Sequence, residues 1–195
     1  MRSIYILFIS LLVSFSCFAK KQYVFEPKYQ VNNTSSFSDT IYISISDDRV
    51  FTDKVKEKFT SEQLIDTIFN IVNKAFPNCV ILRESDSETN VNKITFRIHI
   101  ETYQVEFNRK IKAQDLVITP LITGGSSRWV GTTDYKVEIL ERDRNNQEKT
   151  NTISFHGEDS GKNWKGTSSA KKVLSNAFKQ ATDALINTLI ILSSK

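Results

Sequence analysis

A strictly alternating segment near the middle of the chain limits the fold more than any other feature of the sequence. In KITFRIHIETYQVEF (residues 93–107), every second position is apolar up to Ile100. Because successive side chains of a β-strand point to opposite faces of a sheet, this pattern predicts a long strand with one buried and one exposed face. The alternation changes parity near Tyr103–Val105, which predicts a bulge or a bend.

Two segments carry apolar residues at helical spacing. The first begins after Thr60, with Gln63 at capping-box distance, and ends before Pro77. The second runs from about Ser168 to the end of the sequence. A second long strand is predicted at residues 128–143, and shorter strands at residues 23–25, 40–48, 79–82 and 150–158. Together they predict an α+β fold, a mostly antiparallel sheet with two helices packed on one face.

The sequence divides into three predicted parts. Residues 1–19 are expected to be a signal peptide, and residues 20–38 an extended arm or linker, because they are polar and contain a proline and a Ser/Thr/Asn cluster. Residues 39–195 are expected to form a single α+β domain. The length of 195 residues suits one domain of ordinary size.

The N-terminal segment has the composition of a secretory signal. Arg2 precedes an apolar run from Ile4 to Phe15, which is too short to cross a bilayer core of about 30 Å comfortably as a helix. Two processing alternatives stay open. Cleavage after Ala19 would start the mature chain at Lys20, whereas cleavage before Cys17 would leave that cysteine to carry a lipid. Either alternative predicts export.

Charge and cysteine content exclude several classes of protein. The formal net charge is +4, and the basic residues are dispersed rather than clustered in a stripe, so a nucleic-acid partner is not expected. Cys79 lies in a short apolar run and is predicted to be a small buried residue. A disulfide framework is therefore not expected.

No set of residues with the spacing of an active site emerges from the sequence. His99 and His156 are predicted to face the polar side of the sheet, and together with an isolated cysteine they do not complete a zinc site. We therefore predict a non-enzymatic protein with no cofactor, no metal and no catalytic residues. Two alternatives are a small secreted hydrolase and a carrier of a small apolar ligand. The acidic site of the hydrolase would be drawn from Asp47, Asp48, Glu158 and Asp159.

Two tryptophans beside basic residues are candidates for contact with a partner. Trp129 follows Arg128 in GGSSRWVG, and Trp164 precedes Lys165 in GKNWKG. An indole beside a cation in an exposed loop suits a protein or lipid-headgroup contact, because it offers a large area and one hydrogen-bond donor. The alternative is that each ring fills a gap over the core.

Three stretches make the chain resemble the YajG-like family of bacterial outer-membrane lipoproteins: TIYISISDDRV, TSEQLIDTIFNIVNKAFPNCVI, and YKVEILERDRNNQEKTNTISFHGE with the final helix. The resemblance covers most of residues 40–192, and the weak lipobox at Cys17 departs from the family. It implies a domain without enzymatic activity in the periplasm or at the outer membrane. As partners we expect an envelope protein and, where Cys17 carries a lipid anchor, the membrane.

Overall fold

The computed structural model describes residues 22–50, 55–83, 94–109, 127–142, 148–163 and 165–194. These residues form seven strands and two helices, which confirms the predicted α+β class. In chain order the elements are β1 (Gln22–Val24), β2 (Thr40–Asp47), β3 (Val55–Glu57), α1 (Ser61–Ala75), β4 (Val80–Arg83), β5 (Ile94–Arg109), β6 (Ser127–Arg142), β7 (Glu148–Lys162) and α2 (Thr167–Ser193).

The alternating segment is the centre of the sheet. Strands β5, β6 and β7 form a long antiparallel meander, with β6 paired to β7 from Arg128–Lys162 to Arg142–Glu148. A register shift between Ile100 and Thr102 confirms the predicted irregularity in β5. The sheet is mostly antiparallel, as predicted.

The other edge of β5 is shared by two strands, which makes the sheet fork. Strand β2 pairs in parallel with β5 as far as Asp47 and Ile100, and β1 then pairs in antiparallel fashion from Val105. Outside them, β4 pairs in parallel with β2, and β3 with β1. Because parallel neighbours need a crossover, α1 connects β2 to β4. The sequence analysis predicted none of these parallel pairings.

The core lies between the sheet and the helices. Helix α1 begins with the predicted capping box, in which Thr60 Oγ1 accepts from the Gln63 backbone and Gln63 Oε1 accepts from the Thr60 backbone. The wholly buried side chains on α2 follow the predicted helical stripe. They include Leu174, Ala177, Phe178, Ala181, Leu185 and Leu189. No helix in the described part of the chain is long and apolar enough to cross a membrane.

Helix α2 lies directly against the sheet at two glycines. A β-carbon at Gly157 would lie 2.0 Å from the carbonyl oxygen of Ala177 and 2.9 Å from the backbone nitrogen of Ala181. A β-carbon at Gly131 would lie 2.9 Å from the Cα of Leu174. Only a strand residue without a side chain permits this approach, so these glycines fix how close the helix lies.

The segment expected to be a free arm belongs to the domain. Val24 and Phe25 are buried in the core. Beyond them, Tyr29 Oη donates to Asp183 Oδ1 at 2.7 Å, and the Ser35 backbone donates to Ala75 O at 2.7 Å. These bonds attach residues 26–38 to both helices. Strand β1 lies between β3 and β5 rather than at an edge.

Cys79 is only half-buried, and its thiol lies 3.1 Å from the carbonyl oxygen of Phe37. The predicted role as a buried apolar residue is therefore wrong in part. The neighbouring apolar side chains still place the cysteine against the core, as one of the residues packed around it.

Replacing Thr133 with valine is expected to leave the free energy of unfolding unchanged or to raise it by about 1 kcal/mol. Thr133 is 0% exposed, and within the described residues its hydroxyl oxygen has no hydrogen-bond partner. Valine removes a buried hydroxyl that has no hydrogen bond to a described residue. Urea unfolding measures the difference, with Thr182→Val as the matched control.

The control differs because the buried Thr182 hydroxyl lies 3.1 Å from Tyr135 Oη and is hydrogen-bonded to it. Its removal should cost about 1–2 kcal/mol by leaving the tyrosine hydroxyl without that partner. An equal loss of unfolding free energy in both variants would show that the Thr133 hydroxyl forms a hydrogen bond.

Candidate functional site

The face of the β5–β6–β7 meander opposite α2, here called the outer face, is a polar surface formed by three long strands. No described helix lies over it. Its side chains alternate with the core residues along each strand and, apart from the buried Leu140, those described are exposed or half-buried. They include Arg97, His99, Gln104, Thr132, Asp134, Lys136, Glu138, Thr152, Ser154, His156 and Glu158.

Each histidine on the outer face lies between two carboxylates, which confirms that both face the polar side. His99 Nδ1 is 2.9 Å from Asp48 Oδ2, and its Nε2 is 3.8 Å from Glu138 Oε2. His156 Nδ1 is 2.6 Å from Asp134 Oδ1. The two imidazoles sit on different strands, with carboxylates of β6 beside both.

One ion pair on the outer face joins a lysine and a glutamate of β6. Lys136 Nζ lies 2.9 Å from Glu138 Oε1. The hydrogen bond to Glu138 raises the pKa of Lys136, and the hydrogen bond from Lys136 lowers the pKa of Glu138. Both groups are solvated, so the pair stabilises the fold only slightly.

Ser46, His99 and Asp48 contain the residue types of a hydrolytic triad, but their geometry is different. His99 Nδ1 lies 2.9 Å from both Ser46 Oγ and Asp48 Oδ2. In a triad the carboxylate holds one ring nitrogen and the nucleophile faces the other. Here both partners use the same nitrogen, so the imidazole cannot relay a proton between them.

The sequence analysis missed this trio because Ser46 and His99 are 53 residues apart. Only the parallel pairing of β2 with β5, which places Ser46 opposite His99, brings them together. No local pattern in the sequence signals that pairing.

The four carboxylates of the hydrolase alternative do not converge. Asp47 is buried and paired with Arg49 at 2.5 Å, whereas Asp48 contacts His99. Glu158 lies on the outer face, and Asp159, on the side facing α2, accepts a hydrogen bond from Asn176 at 2.8 Å. These four carboxylates therefore do not form one acidic site. Within the described residues, no group of three potential metal ligands occurs.

Trp129 is not in an exposed loop. It lies within β6, is 5% exposed, and packs against Phe107 and Tyr23 at ring-centroid distances of 4.8 and 5.7 Å. Its Nε1 donates to Asn163 Oδ1 at 2.8 Å. This burial contradicts the predicted exposure of Trp129 and agrees with the packing alternative, because little of the ring is left for a partner.

The other residues singled out in the sequence divide into two groups. Arg128 and Lys165 are exposed and lie at the end of the sheet where β6 begins and β7 ends. Their role in partner contact stays a prediction. Trp164, Cys17 and Ala19 lie outside the described residues.

Two cavities adjoin the N-terminal half of α2, with volumes of about 570 and 720 Å³. Lysine, serine and asparagine side chains form much of their walls, and both are open to solvent. They do not provide the apolar space between helices and sheet that a carrier of an apolar ligand would need. The contact of Gly157 with Ala177 leaves no room for such a space at that point.

The fold is similar to that of solved bacterial proteins, whereas no family model and no curated protein matches the sequence. A Xanthomonas campestris protein of the DUF330 family is 10% identical with a TM-score of 0.50, covering 86% of this chain and 94% of that one. A Helicobacter pylori protein described as a homologue of a neuraminyllactose-binding hemagglutinin is 8% identical with a TM-score of 0.49, covering 87% and 96%.

A minor lipoprotein of Acinetobacter baumannii is a more distant neighbour, at 11% identity and a TM-score of 0.36, with coverage of 80% of this chain and 90% of that one. The likeness to the Xanthomonas protein shows a shared fold. The two neighbours with TM-scores below 0.5 support no conclusion. Bacterial lipoproteins are thus among the structural neighbours. Membership of the YajG-like family in particular stays a prediction.

Proposed function

We propose that this chain is an exported, non-enzymatic binding or accessory domain of a bacterial cell envelope, in the periplasm or at the outer membrane. The observation that carries this proposal is the outer face, a broad polar surface on three long strands with no described helix over it. The signal-like N-terminus and the resemblance to outer-membrane lipoproteins support the location. Lipidation of Cys17 would provide the attachment to the membrane.

The chemistry of the outer face favours a protein partner with a polar or basic surface. Carboxylates outnumber cations in its central part, where Arg97 and Lys136 are the cations. The carboxylates there are Asp48, Glu101, Glu106, Asp134, Glu138 and Glu158. Such a surface selects by charge complementarity, which speeds association and excludes acidic partners.

Photo-crosslinking in intact cells tests the proposal. A photoreactive amino acid placed at Thr152 or Ser154, both exposed on the outer face, should give one discrete crosslinked product. The same group at Gln180 or Ala184, exposed on α2, is the matched control and should not give that product. Absence of a product from both sheet positions, or the same product from both elements, would contradict the outer face as the binding surface.

A further inference from the structure

Six exposed lysines surround the two cavities beside α2. The cavities share Ser168, Lys172 and Asn176, so they form one continuous surface. Its cations are Lys28, Lys58, Lys162, Lys165, Lys171 and Lys172, and its carboxylates are Glu26 and Asp159. These eight groups, called the lysine patch, carry a net charge of +4, equal to that of the whole chain. The remaining charges of the chain therefore balance.

The lysines of the patch outnumber its carboxylates three to one. Asp159 accepts a hydrogen bond from Asn176, and Lys171 Nζ lies 5.5 Å from the centre of the Phe25 ring. Helix α2 has no acidic residue in its first turn, in contrast to α1, which has Glu62 there. The positive end of the α2 dipole therefore adds to the charge of the lysines.

The lysine patch lies at the end of the sheet where the described chain begins. Gln22 pairs with Glu106, and the same row continues across the sheet to Val130 and Ser160. Lys162 is two residues beyond Ser160 in β7, at the end that leads into α2. Cys17 precedes Gln22 by five residues, a distance of at most about 17 Å of extended chain.

We propose that the lysine patch rests on the anionic headgroup layer of the membrane next to which the chain is held. This inference rests on the proposed envelope location, since an anchor at Cys17 would bring this end of the domain to the membrane. Exposed lysines are compact, mobile charges that suit a fluid layer of phosphate headgroups. The outer face, on the opposite side from α2, then remains available to a protein.

Vesicle binding of the purified full-length chain tests the proposal. Binding is measured to vesicles of phosphatidylcholine alone and to vesicles with about one third phosphatidylglycerol. The readout is binding to the second kind divided by binding to the first. That ratio removes any contribution of the apolar N-terminal segment. The variant carries Lys28→Gln, Lys165→Gln and Lys172→Gln. Its control carries Lys74→Gln, Lys149→Gln and Lys179→Gln, three lysines that are exposed elsewhere.

The two triple variants have the same net charge, so only the place of the lost charges differs. The patch variant should lose about tenfold or more of the preference for anionic vesicles, and the control less than about threefold. Equal losses, or no preference in the unmodified chain, would overturn the proposal. So would a patch variant that keeps its vesicle binding but loses self-association or a crosslink to an acidic protein.

The vesicle result is independent of the crosslinking result. A discrete crosslink from Thr152 together with no anionic preference would leave the proposed function standing and remove the membrane contact. Each substituted side chain is exposed, so both triple variants should keep the melting temperature of the unmodified chain. That measurement shows that folding is intact.

Discussion

Replacing Gly157 with alanine is expected to lower the free energy of unfolding by about 3 kcal/mol or more. The added β-carbon would meet the Ala177 carbonyl oxygen at 2.0 Å and the Ala181 nitrogen at 2.9 Å. These are backbone atoms of a 27-residue helix, so no side-chain rotation can relieve the overlap. The helix must move away from the sheet, which opens gaps along its whole buried stripe.

Gly161→Ala is the matched control for Gly157→Ala. Gly161 lies on the same strand and face, but its β-carbon would meet only the Val173 Cγ2 atom at 2.9 Å, which a small side-chain adjustment can relieve. A loss below about 1 kcal/mol is expected. Chemical unfolding of both variants gives the comparison. Similar losses in the two variants would show that α2 does not lie as close to β7 as described.

These glycines also show what the sequence predicts correctly about the sheet and what it does not. Gly131 and Gly157 are strand residues that give the helix room, but glycine in a sequence also signals a loop. Trp129 and Gly131 both lie within the strand predicted at residues 128–143, so the position of Trp129 on β6 agrees with the sequence and only its predicted exposure is wrong. The predicted last strand includes Gly157 but stops at residue 158, four residues before β7 ends at Lys162, because residues 159–162 are polar or glycine and carry no apolar alternation.

Local sequence patterns predicted the helices and strands, but they could not predict which distant strands pair. Alternation in β5 and the capping box at Thr60 depend on neighbours within a few residues, so both were visible in the sequence. The fork at β5 depends on β1 and β2, which are separated from it by many residues. The Ser46–His99 contact and the lysine patch follow from that topology, and neither has a signature in a single segment.

The same topology explains a buried ion pair at the fork. Between the last β2 pairing, Asp47 with Ile100, and the first β1 pairing at Val105, no described strand is paired to the edge of β5 opposite β6. The Arg49 side chain occupies this gap, where its Nη1 donates to the Tyr103 carbonyl at 3.4 Å and its Nη2 lies 2.5 Å from Asp47 Oδ2. Both charged side chains are 4% exposed. Arg49 thus takes the place of a neighbouring strand.

Replacing Arg49 with methionine is expected to lower the free energy of unfolding at neutral pH by about 3–5 kcal/mol, because it leaves the Asp47 carboxylate buried without its countercharge. Burial tends to raise the pKa of Asp47, but hydrogen bonds from Arg49 and Ser61 and the charge of Arg49 outweigh it, so the pKa is lowered. The stabilisation from ionised Asp47 is therefore present above the ordinary pKa of about 3.8 and is lost as the pH falls through the lowered value.

The pH dependence separates a lost charge partner from lost packing. Without Arg49, burial should raise the pKa of Asp47. The deficit of the Arg49→Met variant should then be largest at neutral pH and should shrink as acid protonates Asp47. The Asp47→Asn/Arg49→Met double variant removes both charges and should recover most of the loss at neutral pH. Unfolding curves from pH 7 to about pH 4 give both tests. A constant deficit across this range, with no recovery in the double variant, would mean that Arg49 acts by filling the fork rather than by its charge.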